Sequence, residues 1–246
     1  MLFRQFVDDD LGCASYLVGC EECGEAVVVD PAYAIEQYLE EAVRHDLRIV
    51  RVLETHTHAD HVSGHGRFAL EHGLPVAIHA LAAPECPFEP IADGDEFVVG
   101  DVGLRVIHTP GHRPEHCCFA VTDRTRADEP WFVLTGHTLM VGDLGRTELA
   151  VSAEDGARQL FRSVSRLRDL PDYVEVLPGA YAGSVCGRRL SGKPWSTVGF
   201  EKRHNQAFMI EDEAEFVRFM VAEIPPAPPE AAKIRAANSG VKAVAA

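Results

Sequence analysis

The chain of 246 residues has no apolar run approaching the roughly 20 residues that a helix needs to cross a bilayer, so no membrane span is expected. Its opening stretch, MLFRQFVDDDLG, lacks a basic segment followed by an apolar one, and no signal peptide is read there; cytoplasmic location is the expectation. Positive charge is scarce: 23 Lys and Arg stand against 38 Asp and Glu, a formal net charge of −15. Such a surface repels phosphate backbones, which argues against a nucleic-acid partner, and the acidity reads as a solubility feature. Seven cysteines are an odd number, and without an export signal a disulfide framework is disfavoured. Cys20 and Cys23 form one CxxC, and no second CxxC completes a zinc knuckle. The pair sits in a turn between two expected strands and reads as two incidental thiols. Cys117 and Cys118 lie in an apolar run and are expected to be buried.

What is present is a mixed α/β pattern. ASYLVGC and EAVVVDP read as paired strands around a turn at Cys20–Gly24. AIEQYLEEAVRHD places Ile35, Tyr38, Leu39, Ala42 and Val43 at helical spacing. LRIVRVLET reads as a buried strand, VSGHGRFALEHG as a helix closed by Gly73, and LPVAIHA as the next strand. The middle of the chain is mostly strand, with a hairpin turn at Gly100–Gly103. SAEDGARQLFRSVSRLRDLP is a helix with Ser152 as N-cap and Pro171 just past its end. Two closing helices are expected in TVGFEKRHNQAF and DEAEFVRFMVAEI. From Pro225 apolar periodicity is lost, and the remainder reads as an extended, peripheral segment. There is no internal repeat.

The chemistry concentrates in THTHADHVSGHG, residues 55–66, which holds four histidines and one aspartate in twelve residues. His56 and His58 are alternate residues at a strand end, so their side chains share a face. Asp60 and His61 follow at the turn into a helix. Imidazole and carboxylate together suit zinc, iron or manganese. RVIHTPGHRPEH offers His108, His112 and His116. His112 follows a Pro-Gly turn after a strand, and His137 follows a strand that ends in TGH, so both are projected from strand ends. His108 lies within a strand and is expected to be packed or paired. His45, His65, His72, His79 and His204 read as structural or surface residues.

THTHADH, TPGH, TGHTLMVGDLGR and LPGAYAGS, in that order, resemble the metallo-β-lactamase superfamily, in particular its glyoxalase II and persulfide dioxygenase branch, over about residues 1–220. VGDLGRTEL and GSVCGRRLSGKPWSTVGFEKRHNQAF are similar to bacterial persulfide dioxygenases that are often joined to rhodanese domains. No rhodanese domain is read here, and the tail resembles the linker leading to one. The resemblance implies an α/β fold of four αββα layers, with a metallo-β-lactamase-like domain over 1–224 and a peripheral tail over 225–246.

Two departures stand out. Where the family has an aspartate in the TGD motif, this chain has His137. Where it has a histidine in the motif read here as LPGAYAGS, this chain has Ala180. A two-metal hydrolytic centre would draw on His56, His58 and His112 for one ion and on Asp60 and His61 for the other. It would lack both the bridging aspartate and the last histidine. The single-iron arrangement of the dioxygenases maps onto His56, His112 and His137, a neutral three-histidine face. Asp60 and His61 would then orient ligands or hold water, and Asp143 is a minor candidate for the lost carboxylate. Arg146 matches the family's GxGR arginine and could hold the site or a substrate carboxylate. Arg188, Lys202 and Arg203 are further candidate anion contacts.

The expected function is that of a mononuclear Fe(II) enzyme oxidising a low-molecular-weight persulfide such as glutathione persulfide. The alternatives are a zinc-dependent thioester or ester hydrolase with Asp60 as base, and a non-enzymatic sensor of metal or sulfur. The expected partner is a small thiol, persulfide or thioester, with no nucleic acid and no membrane; a homodimer is compatible with the sequence.

Overall fold

The computed structural model describes residues 1–149, 152–184, 186–188, 190–222, 224 and 230–240. The first half runs β1 (Leu2–Asp8), β2 (Cys13–Cys20), β3 (Glu25–Val29), α1 (Glu36–Arg44), β4 (Arg48–Leu53), α2 (His65–His72), β5 (Val76–His79) and β6 (Glu89–Ile91). The second half runs β7 (Glu96–Val99), β8 (Val102–His108), β9 (Cys117–Asp123), β10 (Phe132–Gly136), β11 (Leu139–Met140), β12 (Asp143–Leu144) and α3 (Ala153–Arg168). It closes with β13 (Glu175–Pro178), β14 (Ser196–Thr197), α4 (Val198–His204), α5 (Glu213–Ala222) and α6 (Ala231–Asn238).

β1 to β6 form one sheet in sequence order, antiparallel from β1 to β3 and parallel from β3 to β6. The other sheet has the order β14-β13-β10-β9-β8-β7, with only β10 and β13 parallel. The central strands β2, β3, β9, β10 and β13 are buried on both faces, which is why they read as continuous apolar runs rather than as alternation. Val18, Val27 and Leu53 of the first sheet pack against Leu104, Phe119 and Leu134 of the second. On the outer face of the first sheet, Leu17, Val28 and Val52 pack against Ile35, Tyr38 and Phe68 around α1 and α2. On the outer face of the second, Ala120, Val133 and Val176 pack against Leu160, Val164 and Leu167 of α3 and Phe216 of α5. Three apolar layers between four structural layers make the αββα sandwich.

The local punctuation follows the sequence. Gly73 closes α2 in the left-handed conformation, and Ser152 caps α3 by accepting from the Asp155 amide. Cys117 and Cys118 are fully buried, one in each of two core layers. Cys20 is buried and Cys23 exposed. β1, which the sequence reading did not separate from the early β pattern, pairs with β2 over seven registered positions.

The segment read as a peripheral tail, 225–246, lies partly outside the described residues, at 225–229 and 241–246. Between them the chain forms a helix, α6, rather than an extended run. A polar anchor takes the place of the missing apolar stripe: Asn238 is buried, its amide donates to the carbonyls of His58 and His61, and its Oδ1 accepts from the Ser63 amide.

Candidate metal centre

The histidine-bearing loops all leave C-terminal strand ends: His56 and His58 after β4, His112 after β8 and His137 after β10. The two sheets are tied together at this edge. Ala14 donates to Gly179 O at 2.9 Å and Cys117 to Thr55 O at 2.8 Å. Glycine is required at both Gly-His turns. Gly136 has φ +49°, and a Cβ there would stand 2.6 Å from His116 Nε2. Gly111 has φ +140°, and a Cβ would stand 2.5 Å from the backbone nitrogen of Leu160 on α3.

These turns bring His56, His112 and His137 together, each offering a ring nitrogen within 4.8 Å of the others. All three are buried. His112 Nδ1 donates to Arg146 O at 2.9 Å, which leaves Nε2 as the free base, 3.3 Å from His137 Nδ1. Thr55 Oγ1 donates to Asp30 Oδ2 at 2.8 Å, so at 2.9 Å from His56 Nδ1 it accepts. His56 therefore carries its proton on Nδ1, and its Nε2 lone pair is buried without a hydrogen-bond partner. His137 Nε2 is likewise buried and unpartnered. Burial pulls the pKa of His56 and of His112 well below the usual imidazole value, aided by neighbouring imidazoles. Burial brings His137 to about 4. Three neutral imidazoles with ring nitrogens this close together are a donor set for a transition metal.

His58 stands beside His56, with ring centroids 4.2 Å apart, and lies 5.8 Å from the ring of His137. Its Nε2 lies 3.1 Å from Asp30 Oδ1 and 3.2 Å from Glu54 Oε2, while its unpartnered Nδ1 lies 3.6 Å from Asp60 Oδ1. It groups with Asp60 and His137 rather than with the pair His56 and His112. The Asp60 side chain is 3% exposed. Burial alone would raise its pKa, but the facing His137 and His61 hold it well below the carboxylate range. His61 Nδ1 is 3.2 Å from Asp60 Oδ1, and Cys13 donates its thiol to Asp60 Oδ2 at 3.3 Å. A cavity of about 280 Å³, lined in part by Cys13, Ser15, Asp30 and His61, opens onto this side.

The other residues singled out in the sequence are placed as follows. The Arg146 guanidinium pairs with Glu148, while its carbonyl orients His112. Arg188 bonds Asp143 through both its amide and its guanidinium. Asp143 thus faces Arg188 and lies outside the groups of convergent ligand atoms, which argues against its replacing the lost carboxylate. Lys202 and Arg203 reach Asp172 on the surface around α4. Their cationic ends are held there by a carboxylate, so the structure does not bring Arg203 to the histidine cluster. His65 pairs with buried Glu54, and His108 stacks on His79 at 4.0 Å. His116 Nε2 accepts from the His137 amide, fixing the backbone that carries that residue.

Sequence reasoning missed Asp30, Glu54, Thr55, Cys13 and Asn238. Only Asp30 and Glu54 had a local signal: each is a carboxylate at the end of an apolar strand, in VVVD and VRVLE, where only a buried partner justifies it.

Residues 8–179 match the metallo-beta-lactamase superfamily. The chain belongs to that superfamily. A metallo-beta-lactamase of Staphylococcus aureus subsp. aureus COL superposes with TM-score 0.93 at 35% identity, covering all of this chain and 74% of that one. ETHE1 of Myxococcus xanthus superposes with TM-score 0.82 at 28% identity, covering 97% and 100%. The mitochondrial persulfide dioxygenase ETHE1 of Bos taurus is 29% identical over 223 residues, which span 89% of this chain and 80% of that protein. Among the described residues, no helix of this metallo-β-lactamase fold is long and apolar enough to cross a membrane.

Proposed function

We propose that this metallo-β-lactamase-fold chain is a mononuclear iron dioxygenase of low-molecular-weight persulfides, glutathione persulfide being the first to try. The observation that carries the reading is the three-imidazole face of His56, His112 and His137, in which the buried Nε2 of His56 has no hydrogen-bond partner. The similarity to persulfide dioxygenases over most of the chain supports it. One Fe(II) held by these three residues would supply open positions for persulfide and O2 and the electrons that activate O2. The overall change takes persulfide, O2 and water to thiol and sulfite.

The chain's own groups have defined parts. Arg146 O and the Asp30–Thr55 chain hold His112 and His56 in the tautomers that ligation needs. Asp60, kept anionic among imidazoles, is placed to hold water or accept a proton beside the face. The 280 Å³ cavity opens beside His61 and Asp30, on the Asp60 side of the centre. The test is oxygen uptake by the Fe(II)-loaded chain on adding glutathione persulfide. Uptake with matching sulfite, lost in His112→Ala, is expected; an iron-loaded chain that leaves persulfide and O2 untouched sinks the reading.

A metal-dependent thioester hydrolase is the second reading, favoured by the Asp60 and His61 ligands on the far side of His137. Zinc-dependent cleavage of S-lactoylglutathione without oxygen uptake would establish it.

A further inference from the structure

We propose that Cys20 and Cys23 form a thiol–disulfide exchange site, separate from the metal centre, that takes a small uncharged or cationic disulfide as its oxidant. The persulfide reading neither uses this site nor supports it.

The spacing Cys-Glu-Glu-Cys alone leaves the two thiols incidental, but the fold brings them to one point. Cys20 ends β2, and the turn after it is closed by the Gly24 amide, which donates to Cys20 O at 3.0 Å. In a turn of this α type, residues three apart lie on one side. Gly100, in the turn between β7 and β8 of the other sheet, packs over both sulfurs. A Cβ there would stand 2.5 Å from Cys20 Sγ and 2.8 Å from Cys23 Sγ. The pair is far from the histidines. β2 runs eight residues from Cys13, whose thiol donates to Asp60, to Cys20. At about 3.3 Å per residue, its two ends are roughly 23 Å apart.

The two thiols differ in a way that suits exchange. Cys23 is exposed and Cys20 is buried. Burial works against a thiolate on Cys20, but the backbone amides of Asp101, Cys23 and Glu22 outweigh it and bring that thiol below its ordinary pKa. Burial and the Cys20 sulfur push the Cys23 thiol up. An accessible sulfur beside a sheltered thiolate is the arrangement of a dithiol pair. The Cys20 thiolate takes the Cys23 proton, and the Cys23 sulfur attacks the small disulfide. That S–S bond breaks, and the first thiolate leaves with the proton that Cys20 returns. Cys20 then attacks the Cys23 sulfur, the Cys20–Cys23 bond forms, and the second thiolate leaves and is protonated by water. The pair loses two electrons, and the small disulfide gains them. Glu21, Glu22 and Asp101 are exposed around the pair, while Arg48 is engaged by Glu25. A disulfide bearing carboxylates meets like charge here, and one bearing amines is drawn in.

The test treats the reduced full chain with cystamine or with glutathione disulfide, blocks remaining thiols with an alkylating agent and maps the peptides by mass. Cystamine is expected to give the Cys20–Cys23 cross-link with no cysteamine retained on either residue. It should do so on the order of 10-fold faster than glutathione disulfide at low salt, an advantage that shrinks in about 1 M NaCl. Cys20→Ser should retain cysteamine on Cys23. Cys23→Ser, a change at an exposed position, is the independent check should Cys20→Ser fail to fold: its Cys20 should stay unmodified over the time in which the wild type cross-links. Cysteamine held on wild-type Cys23 without a cross-link, equally fast modification of Cys20 in Cys23→Ser, or equal rates for the two disulfides overturns the proposal.

Discussion

Asp30 shows how much of the centre depends on a single side chain. It is buried, it accepts the Thr55 amide at 2.7 Å and the Thr55 hydroxyl at 2.8 Å, and it faces His58 Nε2 at 3.1 Å. One carboxylate thereby sets the tautomer of His56 through Thr55 and holds the ring of His58 directly. Its backbone is left-handed, with φ 50°, a conformation that asparagine tolerates. Asp30→Asn therefore removes the charge without forcing the turn. We expect metal affinity to fall about 10–100-fold, the usual consequence of losing such an outer partner, as measured by competition with a chromophoric chelator. Unchanged affinity would mean that the imidazoles orient themselves.

At the scale of elements, the turn carrying His112 is wedged against α3. Gly111→Ala would push a methyl to 2.5 Å from the backbone nitrogen of Leu160, at a φ that L-residues avoid. Overpacking and backbone strain each cost roughly 1–3 kcal/mol, so a loss of about 2–6 kcal/mol in urea unfolding is expected. Metal affinity should fall too, because His112 must move with the turn. The sequence showed this turn plainly, since Pro-Gly-His after an apolar strand is a local signal. It showed the caps of α2 and α3 for the same reason: Gly73 and Ser152 act within a few residues of themselves. It could not show that Cys13 meets Asp60, 47 residues away. Nor could it show α6, whose anchor is one asparagine rather than an apolar stripe. Contacts of that kind are properties of the packed sheets and leave no periodicity behind. The sequence is equally silent on what surface cations meet: a charge run such as Lys202–Arg203 has the same appearance whether it faces a substrate or, as here, Asp172.

For the whole molecule, the centre is a fastener between two sheets, since His56 and His58 come from one and His112 and His137 from the other. A cation that binds only the folded chain stabilises it by about 2.7 kcal/mol at a hundredfold excess over Kd. For a chain of this size, Tm should then rise by about 5–11 °C on loading the stripped protein, read by scanning calorimetry. No shift would mean that the histidines hold no ion. Asn238→Ala tests the other long-range tie. It leaves two carbonyls and one amide of the metal loop without their partner, and a loss of about 2–4 kcal/mol is expected. Faster hydrogen exchange at Ser63 and faster metal release should accompany it. Equal exchange rates would show that water replaces the asparagine at no cost.

The Asn238 contact also has a meaning in time. The carbonyls it caps belong to His58 and His61, made 180 and 177 residues earlier. At 5–20 residues per second, a ribosome takes roughly 9–35 s to supply the cap. Through that interval the nascent loop displays its imidazoles and Asp60 with their backbone still open to water. The braced form of the loop is thus available only once Asn238 has been made, well after the last of the clustered histidines, His137.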